Sequence, residues 1–376
     1  MPPVTIDGTN GITTPMYSGA ISANAVTPVN SFKNRIINGN MSVDQRNVGA
    51  SVTPTSGQYT LDRWCIFVSQ TSKLTIQQDA GAVTPPAGFA DYLGVTSSSA
   101  YSITSSDFFN LFQVIEGYNV ADLNWGTANA KTVTLSFWVR SSLTGTFGGA
   151  LQNSANNRSY PFTYTISSAN TWEQKSITVA GDTSGTWLAT NGAGLRVFFG
   201  LGLGSTLTGP AGAWAGATYY GANGATSVVG TNGATFYITG VQLEVGSTAT
   251  SFDYRPYTTE LQLCQRYLPV INLADSVGGF ASLVSGYAAG STTFYFTFPY
   301  KVNVRTPATG ISVTNPTTAF GVAWGGTSAV SAIVYSGSTY EIGTFYASVT
   351  GATLGNGGAL YAITSSGKIL FTGCEL

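Results

Sequence analysis

From Lys33 to Pro256 the chain alternates apolar and polar residues in short segments that turn residues separate. Successive side chains of a β-strand point to opposite faces, so each alternating segment predicts a strand with one buried face. In residues 131–140 the apolar face contains Val133, Leu135, Phe137 and Val139, and the other face contains Thr132, Thr134, Ser136, Trp138 and Arg140. Repeated strands of this kind predict an antiparallel β-sandwich.

Two further segments show the same alternation. In residues 195–201 the inward positions are Leu195, Val197, Phe199 and Leu201, and the outward positions are Arg196 and Phe198. After an Asn232-Gly233 turn, one face of the next strand contains Val241, Leu243 and Val245, and the opposite face contains Gln242 and Glu244. Between these strands, residues 200–234 contain ten glycines and predict a long loop region.

A single short helix is predicted over residues 257–268. Leu261, Cys264 and Leu268 share one helical stripe, and Thr259 with Gln262 three residues later fits a capping box. We interpret this helix as the joint between two domains.

Strand-like alternation returns after the helix, and residues 269–376 are predicted to form a second, smaller β-domain. In the segment 292–298, Phe294, Phe296 and Phe298 alternate with Thr293, Tyr295 and Thr297. This uncharged segment has high β-propensity, so we expect it to be buried centrally or at an interface.

Residues 1–32 contain one charged residue, Asp7, and no sustained strand or helix period. They predict an extended N-terminal arm that becomes ordered where it docks on a partner. Together with residues 33–256, the patterns predict an all-β protein of two antiparallel β-sandwich domains with one linking helix.

Charge and apolar runs exclude several classes of partner. Charged residues make up 8% of the chain, the net charge is -1, and Lys and Arg form no run, so neither nucleic acid nor an anionic membrane surface is an expected partner. A cleaved signal is not expected, because the N-terminus has no basic region followed by an unbroken apolar run. A membrane span is not expected, because no stretch of about 18 apolar residues occurs. The cysteines, Cys65, Cys264 and Cys374, lack zinc-like spacing and are interpreted as buried thiols.

The chain contains no histidine, which removes the usual general base and the commonest transition-metal ligand. No nucleotide-binding glycine motif or calcium loop is present, and we expect neither a cofactor nor a metal. A glycosidase needs only two carboxylates, for which Glu116, Asp122 and Glu244 are candidates. A non-catalytic protein is the prediction.

Aromatic residues are the remaining candidates for chemistry, because their flat faces stack on sugars. Trp138 lies among polar residues with Arg140, and Arg196 and Phe198 are candidates for the same face. Two interpretations of this face stay open: a sugar site, or a surface packed by a loop or a subunit.

Four more aromatic residues lie beside glycines in turn-like sequence and are expected nearer the surface: Trp125, Trp214, Tyr219 and Tyr220. They are candidates for carbohydrate binding, or alternatively for loop anchoring or subunit contact. Trp64 follows a strand pattern and is assigned to the core.

Several segments, in this order, resemble a family of bacteriophage tail-fibre and related virion proteins. They are FKNRIINGNMSVDQRN, YTLDRW, KTVTLSFWVRSS and FYITGVQLEVGSTATSFDYRPYTTELQLCQRYL. The resemblance covers roughly residues 32 to 268. It implies a jelly-roll sandwich similar to carbohydrate-binding modules, in proteins that commonly occur as trimers on phage tails.

The resemblance further implies a virion protein, made in the bacterial host cytoplasm and carried on the tail or capsid surface. The first function that the resemblance implies is that of a homotrimeric tail fibre that attaches to a host cell-surface glycan. Residues 1–32 would then contact other virion proteins. The glycan site is then expected either in residues 269–376 or around Trp138. The alternatives are a purely architectural capsid decoration or head-fibre protein, and a tailspike depolymerase.

Overall fold

The computed structural model describes residues 5–7, 11–13, 32–273 and 282–376. Within them the chain is an all-β protein of antiparallel sheets, which confirms the predicted fold class. Of the predicted arm the structure describes β1 (Thr5–Asp7) and β2 (Gly11–Thr13), which pair antiparallel, and Phe32. The rest of that prediction lies outside the described residues.

Two sheets form the first sandwich. The six-stranded sheet has the order β10-β9-β12-β7-β4-β3, and the five-stranded sheet has the order β11-β8-β15-β6-β5. A short parallel pair, β13-β14, lies in the glycine-rich region. The strands are β3 (Gln58–Leu61), β4 (Trp64–Val68), β5 (Leu74–Gln78), β6 (Leu93–Ser97), β7 (Phe108–Glu116), β8 (Val133–Ser141), β9 (Gly145–Gln152), β10 (Ser159–Ile166), β11 (Glu173–Val179), β12 (Ala193–Leu203), β13 (Thr208–Gly209), β14 (Gly221–Ala222) and β15 (Thr235–Val245).

The alternating apolar residues of β8 and β12 build the core between these sheets. All of the predicted inward positions of both strands are fully buried, as is Trp64. Phe137 of β8 meets Phe199 of β12 edge to face, with ring centroids 5.1 Å apart. Each such side chain contributes roughly 1.5–3 kcal/mol through burial. The alternation therefore predicted the sandwich core correctly.

A bulge at Gly240 changes which residues of β15 face the core. Gly240 has φ of 61°, and the register of β15 with β8 shifts between Thr239 and Gln242. Val241 and Leu243 are buried as predicted, whereas Val245 is 42% exposed. Val245 pairs with Val133 on the predicted face, but it is exposed because it ends the strand at the rim of the sandwich.

Helix α1 (Tyr257–Gln265) follows the sandwich. The predicted capping box is wrong, because the helix begins two residues before Thr259 and the capping position is Pro256, without a side-chain cap. Cys264 and Tyr267 are buried in a cluster against which Leu376 packs. Residues after the helix thus bring the two domains into contact.

The second domain packs a three-stranded sheet, β16-β25-β19, near a seven-stranded sheet, β21-β20-β24-β17-β18-β23-β22, around a separate core. As predicted for the segment 292–298, β18 is an interior strand, and Phe294 and Phe296 are buried. Its elements are β16 (Val270–Asn272), β17 (Ser282–Ala288), β18 (Thr293–Pro299), β19 (Gly310–Thr314), α2 (Pro316–Ala319), β20 (Phe320–Ala323), β21 (Thr327–Ala329), β22 (Ala332–Ser338), β23 (Ile342–Ser348), β24 (Gly357–Ala362) and β25 (Lys368–Thr372).

Ion pairs join the two domains. Arg266 donates to the Glu116 carboxylate from Nε at 2.9 Å and Nη2 at 2.6 Å, and the Tyr267 hydroxyl donates to it at 2.7 Å. Burial alone would raise the pKa of Glu116, but these hydrogen bonds hold it below its ordinary value. Glu375 pairs with the buried guanidinium of Arg63. The second domain is therefore fixed to the sandwich by polar contacts as well as apolar ones.

The three cysteines are free and buried, as predicted: Cys65, Cys264 and Cys374. Burial raises the pKa of Cys65 to about 12 and that of Cys374 to about 11. Both thiols therefore remain protonated at neutral pH.

Candidate functional site

Trp138 lies on the outer face of the five-stranded sheet and is half-buried. A Cβ added to the neighbouring Gly240 would approach the Phe89 ring to 2.6 Å and Cδ1 of Trp138 to 3.1 Å. Phe89 packs against Phe252 and Tyr254, with ring centroids 5.1 and 5.6 Å apart. Segments of the same chain therefore pack around Trp138, which is one of the two interpretations of this face.

Arg140 is held on the same outer face. Its guanidinium lies 5.5 Å from the ring centre of Tyr237, and its Nε donates to the carbonyl of Asn170 at 3.0 Å. Tyr237 also packs against Tyr92, whose ring meets Trp172 edge to face. The residues around Arg140 form an aromatic layer over the sheet.

A pair of carboxylic acids at this layer was not anticipated from the sequence. The carboxyl groups of Asp79 and Asp91 lie close enough for each to influence the pKa of the other. Burial, together with the charge of Asp79, raises the pKa of Asp91 to about 6. The two residues flank a loop and no periodic pattern connects them, so only the folded chain brings them together.

Arg196 and Phe198 lie on the opposite side of the sandwich. Their strand, β12, belongs to the six-stranded sheet, whereas Trp138 belongs to the five-stranded sheet. The expectation that these residues share one face is therefore wrong, because the outer faces of two packed sheets point away from each other.

On that second outer face, Phe198 is covered rather than open. It stacks on Phe112 with ring centroids 5.0 Å apart, and Tyr220 packs over it at the same distance. Arg196 donates from Nη1 to the carbonyl of Asn153 at 3.1 Å, and burial lowers its pKa. Phe198 is fully buried, so it offers no ring face to a ligand.

Tyr219 anchors the glycine-rich segment beside this face. Its backbone N–H donates to Oγ of Ser159 at 3.2 Å, and the Oγ of Ser159 donates to the carbonyl of Ala217 at 2.8 Å. Its ring occupies the space that a side chain at Gly209 would need. The glycine permits this close approach.

Trp125 and Trp214 meet at one end of the sandwich, together with Trp187. The three rings contact edge to face, with centroids 4.8 to 5.4 Å apart. The indole N–H groups of Trp125 and Trp214 donate to the carbonyls of Lys131 and Ala180 at 2.7 Å each. The cluster thus ties loops together, and Trp125 and Trp187 line a cavity of about 190 Å³ beside it.

The carboxylates considered for catalysis make separate sets of contacts. Glu116 is bound at the domain junction, Asp122 accepts a hydrogen bond from Arg35 at 2.8 Å, and Glu244 accepts one from Gln242 at 2.8 Å. None of these contacts joins two of the three residues.

The described part of the chain contains no cluster of three or more His, Cys, Asp or Glu side chains that could hold a metal ion. No helix in it combines the length and apolar character needed to cross a bilayer.

The seven-stranded sheet of the second domain carries an exposed row of tyrosines. Tyr287 of β17 pairs directly with Tyr295 of β18, which pairs with Tyr346 of β23. Their ring centroids are 6.0 and 5.5 Å apart. Tyr287 is 57% exposed, and the other two are partly exposed. Sequence alternation placed Tyr295 outward, but only the strand register brings the three rings together.

Neither a family model nor a curated protein matches the chain. Among solved structures it is similar to the enzymatically active domain of tailspike protein 4 from bacteriophage CBA120, with 13% identity, a TM-score of 0.30, and coverage of 57% of this chain and 22% of that one. The chain thus spans less than a quarter of the tailspike chain's length.

Two further structures align with similar values. A CBM4 protein has 14% identity and a TM-score of 0.30, with 56% of this chain and 98% of that chain covered. A putative sugar binding protein from Bacteroides thetaiotaomicron has 11% identity and a TM-score of 0.32, with 57% and 100% covered. At these values no ligand, activity or residue role is carried over to this chain.

Proposed function

We propose that this chain is a structural protein of a bacteriophage virion, a tail fibre that attaches the particle to a glycan on the host cell surface. The observation that carries the proposal is the exposed, uncharged outer face of the seven-stranded sheet. Its strands, β17, β18 and β20 to β24, contain no Asp, Glu, Lys or Arg. A neutral glycan is a partner that such a face accepts without burying an unpaired charge.

The covered aromatic residues of the first sandwich support different roles for the two domains. Its candidate sugar-binding aromatics are packed by other segments of the chain, whereas the second domain leaves aromatic rings open to solvent. The sandwich then serves as a body that holds the second domain in place, through the ion pairs of Glu116 and Glu375. Attachment falls to the second domain.

A non-catalytic role is part of the proposal. The three carboxylates considered for glycoside hydrolysis are engaged in separate contacts, and hydrolysis needs two of them across one scissile bond. Purified protein incubated with host polysaccharide is expected to release no reducing ends. Release of reducing ends would contradict this part of the proposal.

An oligomer, with a homotrimer as the proposed form, receives support from the sheet edge. β22 is the terminal strand of the seven-stranded sheet in the described chain and carries no charge. Uncharged edge strands invite pairing with another chain unless they are covered. Residues 1–32 are proposed to contact other virion proteins. A capsid decoration or head-fibre protein of architectural role is the second candidate, because the same edge would serve it.

The experiment that tests attachment uses the full chain and whole host cells. Fluorescently labelled protein is expected to bind host cells, and soluble envelope polysaccharide from the same host is expected to compete. Failure to bind, under conditions in which intact virions adsorb, overturns attachment and favours the architectural role. Immunogold electron microscopy of virions then separates a tail position from a capsid position.

A further inference from the structure

We propose that Tyr287, Tyr295 and Tyr346 form the floor of a binding site for a neutral glycan chain. The proposal rests on the attachment function above and assigns its site. It concerns the outer face of the second domain, away from the candidates that sequence reasoning selected in the sandwich.

The register places the site across four neighbouring strands. Tyr287, Tyr295 and Tyr346 lie directly opposite one another, and Val334 of β22 is the next partner after Tyr346. The ring planes of Tyr287 and Tyr295 are within 20° of each other. One ring per strand gives a row of stacking positions perpendicular to the strands, so a bound chain runs across the sheet.

One end of the row opens onto a glycine. Tyr287 pairs on its other side with Gly357 of β24, and a Cβ placed on Gly357 would meet no atom within 4 Å. Among the described residues, no atom therefore fills the space at Gly357 beside the most exposed ring. A sugar unit fits there against the flank of Tyr287.

Polar capacity at the row is available to a ligand. The hydroxyls of the three tyrosines make no hydrogen bond with another residue of the described chain, and each can donate one and accept another. Thr297, two residues from Tyr295 on the same face of β18, is exposed. Rings for the C–H faces of sugars and hydroxyls for their edges thus lie together.

The chemistry selects neutral glycans over charged ones. The charged residues nearest in sequence to these strands are Lys301 and Glu341, which lie beyond the strand ends. An acidic polysaccharide would find no Lys or Arg among the residues of these strands to pair with its carboxylates. Beyond Tyr346 the row ends at Val334, an exposed apolar side chain without hydrogen-bonding groups.

Affinity electrophoresis of the full chain tests the site. Native gels contain a neutral polysaccharide (dextran, mixed-linkage β-glucan or galactan), an acidic one (polygalacturonate), or the envelope polysaccharide of the host. Tyr287→Ala, Tyr295→Ala and Tyr346→Ala are compared with Tyr340→Ala, a matched control that is 51% exposed in the same domain but outside the row. Thermal unfolding and size-exclusion chromatography with light scattering accompany each variant.

We expect retardation by at least one neutral polysaccharide and none by polygalacturonate. Each alanine variant of the row should weaken binding at least tenfold, while Tyr340→Ala binds as the unmodified protein does. Tyr295→Phe, which keeps the ring, should retain most of the affinity. This variant also guards against a loss of binding that comes from misfolding.

Three results would overturn the inference. If the protein binds a glycan and the row variants bind equally well, the attachment function stands and the site is wrong. If the row variants change the oligomeric mass and leave glycan binding unchanged, the row is an interface between copies. If no polysaccharide, including that of the host, retards the unmodified protein, both the site and the attachment function fail.

Discussion

The outer faces of the first sandwich and of the seven-stranded sheet start from the same sequence pattern but end in different surfaces. In both, a strand points an aromatic residue away from the core, Trp138 in β8 and Tyr295 in β18. Trp138 and the Phe89 ring, which residues 79–92 bring over the sheet, both lie beside Gly240. Within the described residues, the ring contacts of Tyr295 are with Tyr287 and Tyr346.

The connections between strands explain the difference. In the sandwich, the long connections over residues 79–92 and 204–234 and the segment after β15 are available to fold back over the outer faces. In the second domain, β17 joins β18 through residues 289–292, and β22 joins β23 through residues 339–341. Such short turns reach no farther than the strand ends. In these two cases the outward aromatic is covered where a connection folds back over the sheet and exposed where the neighbouring turns do not reach it.

The largest effect that separates the two surfaces is expected from Phe198→Ala. Phe198 is fully buried between Phe112 and Tyr220, so its removal leaves a cavity and should lower the free energy of unfolding by about 3–5 kcal/mol. Tyr295→Ala removes only cross-strand contacts and should cost about 1 kcal/mol. Urea unfolding followed by circular dichroism measures both values. Equal losses would show that the tyrosine row is as structural as the covered face.

A smaller effect is expected from Trp138→Ala. The half-buried indole lies beside Gly240, where the Phe89 ring also packs, so we expect a loss of about 2 kcal/mol in the free energy of unfolding. Because its partners belong to the same chain, light scattering should give an unchanged oligomeric mass. Trp138→Phe, which keeps an aromatic ring, should recover part of the loss. A dissociated oligomer would instead place Trp138 in a subunit interface.

Much of the core was predictable from local pattern, because burial of alternate residues is decided within each strand. Val133, Leu135 and Trp64 are buried as the sequence indicated. The start of the helix was not predictable in this way, because Thr259 matches a capping box while the first helical turn begins at Tyr257. A capping side chain stands before the helix and accepts from its first N–H groups, which have no partner within the helix. Thr259 lies two residues inside the helix and is therefore not in that position.

The arrangement of the candidate sites was not predictable, because it depends on which strands pair and which loops return. Alternation placed Arg196 and Trp138 outward, but it carried no information about the sheet to which each strand belongs. The tyrosine row likewise requires the register of β17, β18 and β23, which joins residues far apart in sequence. Residue patterns fix the face of a strand, and long-range pairing fixes its neighbours.

The smallest expected effect concerns the loop that covers Trp138, through the carboxylic acids at its two ends. In the folded chain the pKa of Asp91 is raised from 3.8 to about 6, so the native state binds this proton more tightly than the unfolded state does. Stability is therefore expected to fall as the pH rises from about 4 to about 6 and then to level off. Because the pair is only partly buried, the change is about 1 kcal/mol after solvent screening.

Urea unfolding of Asp91→Asn and of the unmodified protein at pH 4.5 and pH 7 isolates this contribution, since the other titrating groups are common to both. Between these two pH values, the variant should lose less free energy of unfolding than the unmodified protein does. An identical loss in the two proteins would mean that the acid pair does not set the stability of the loop that covers Trp138.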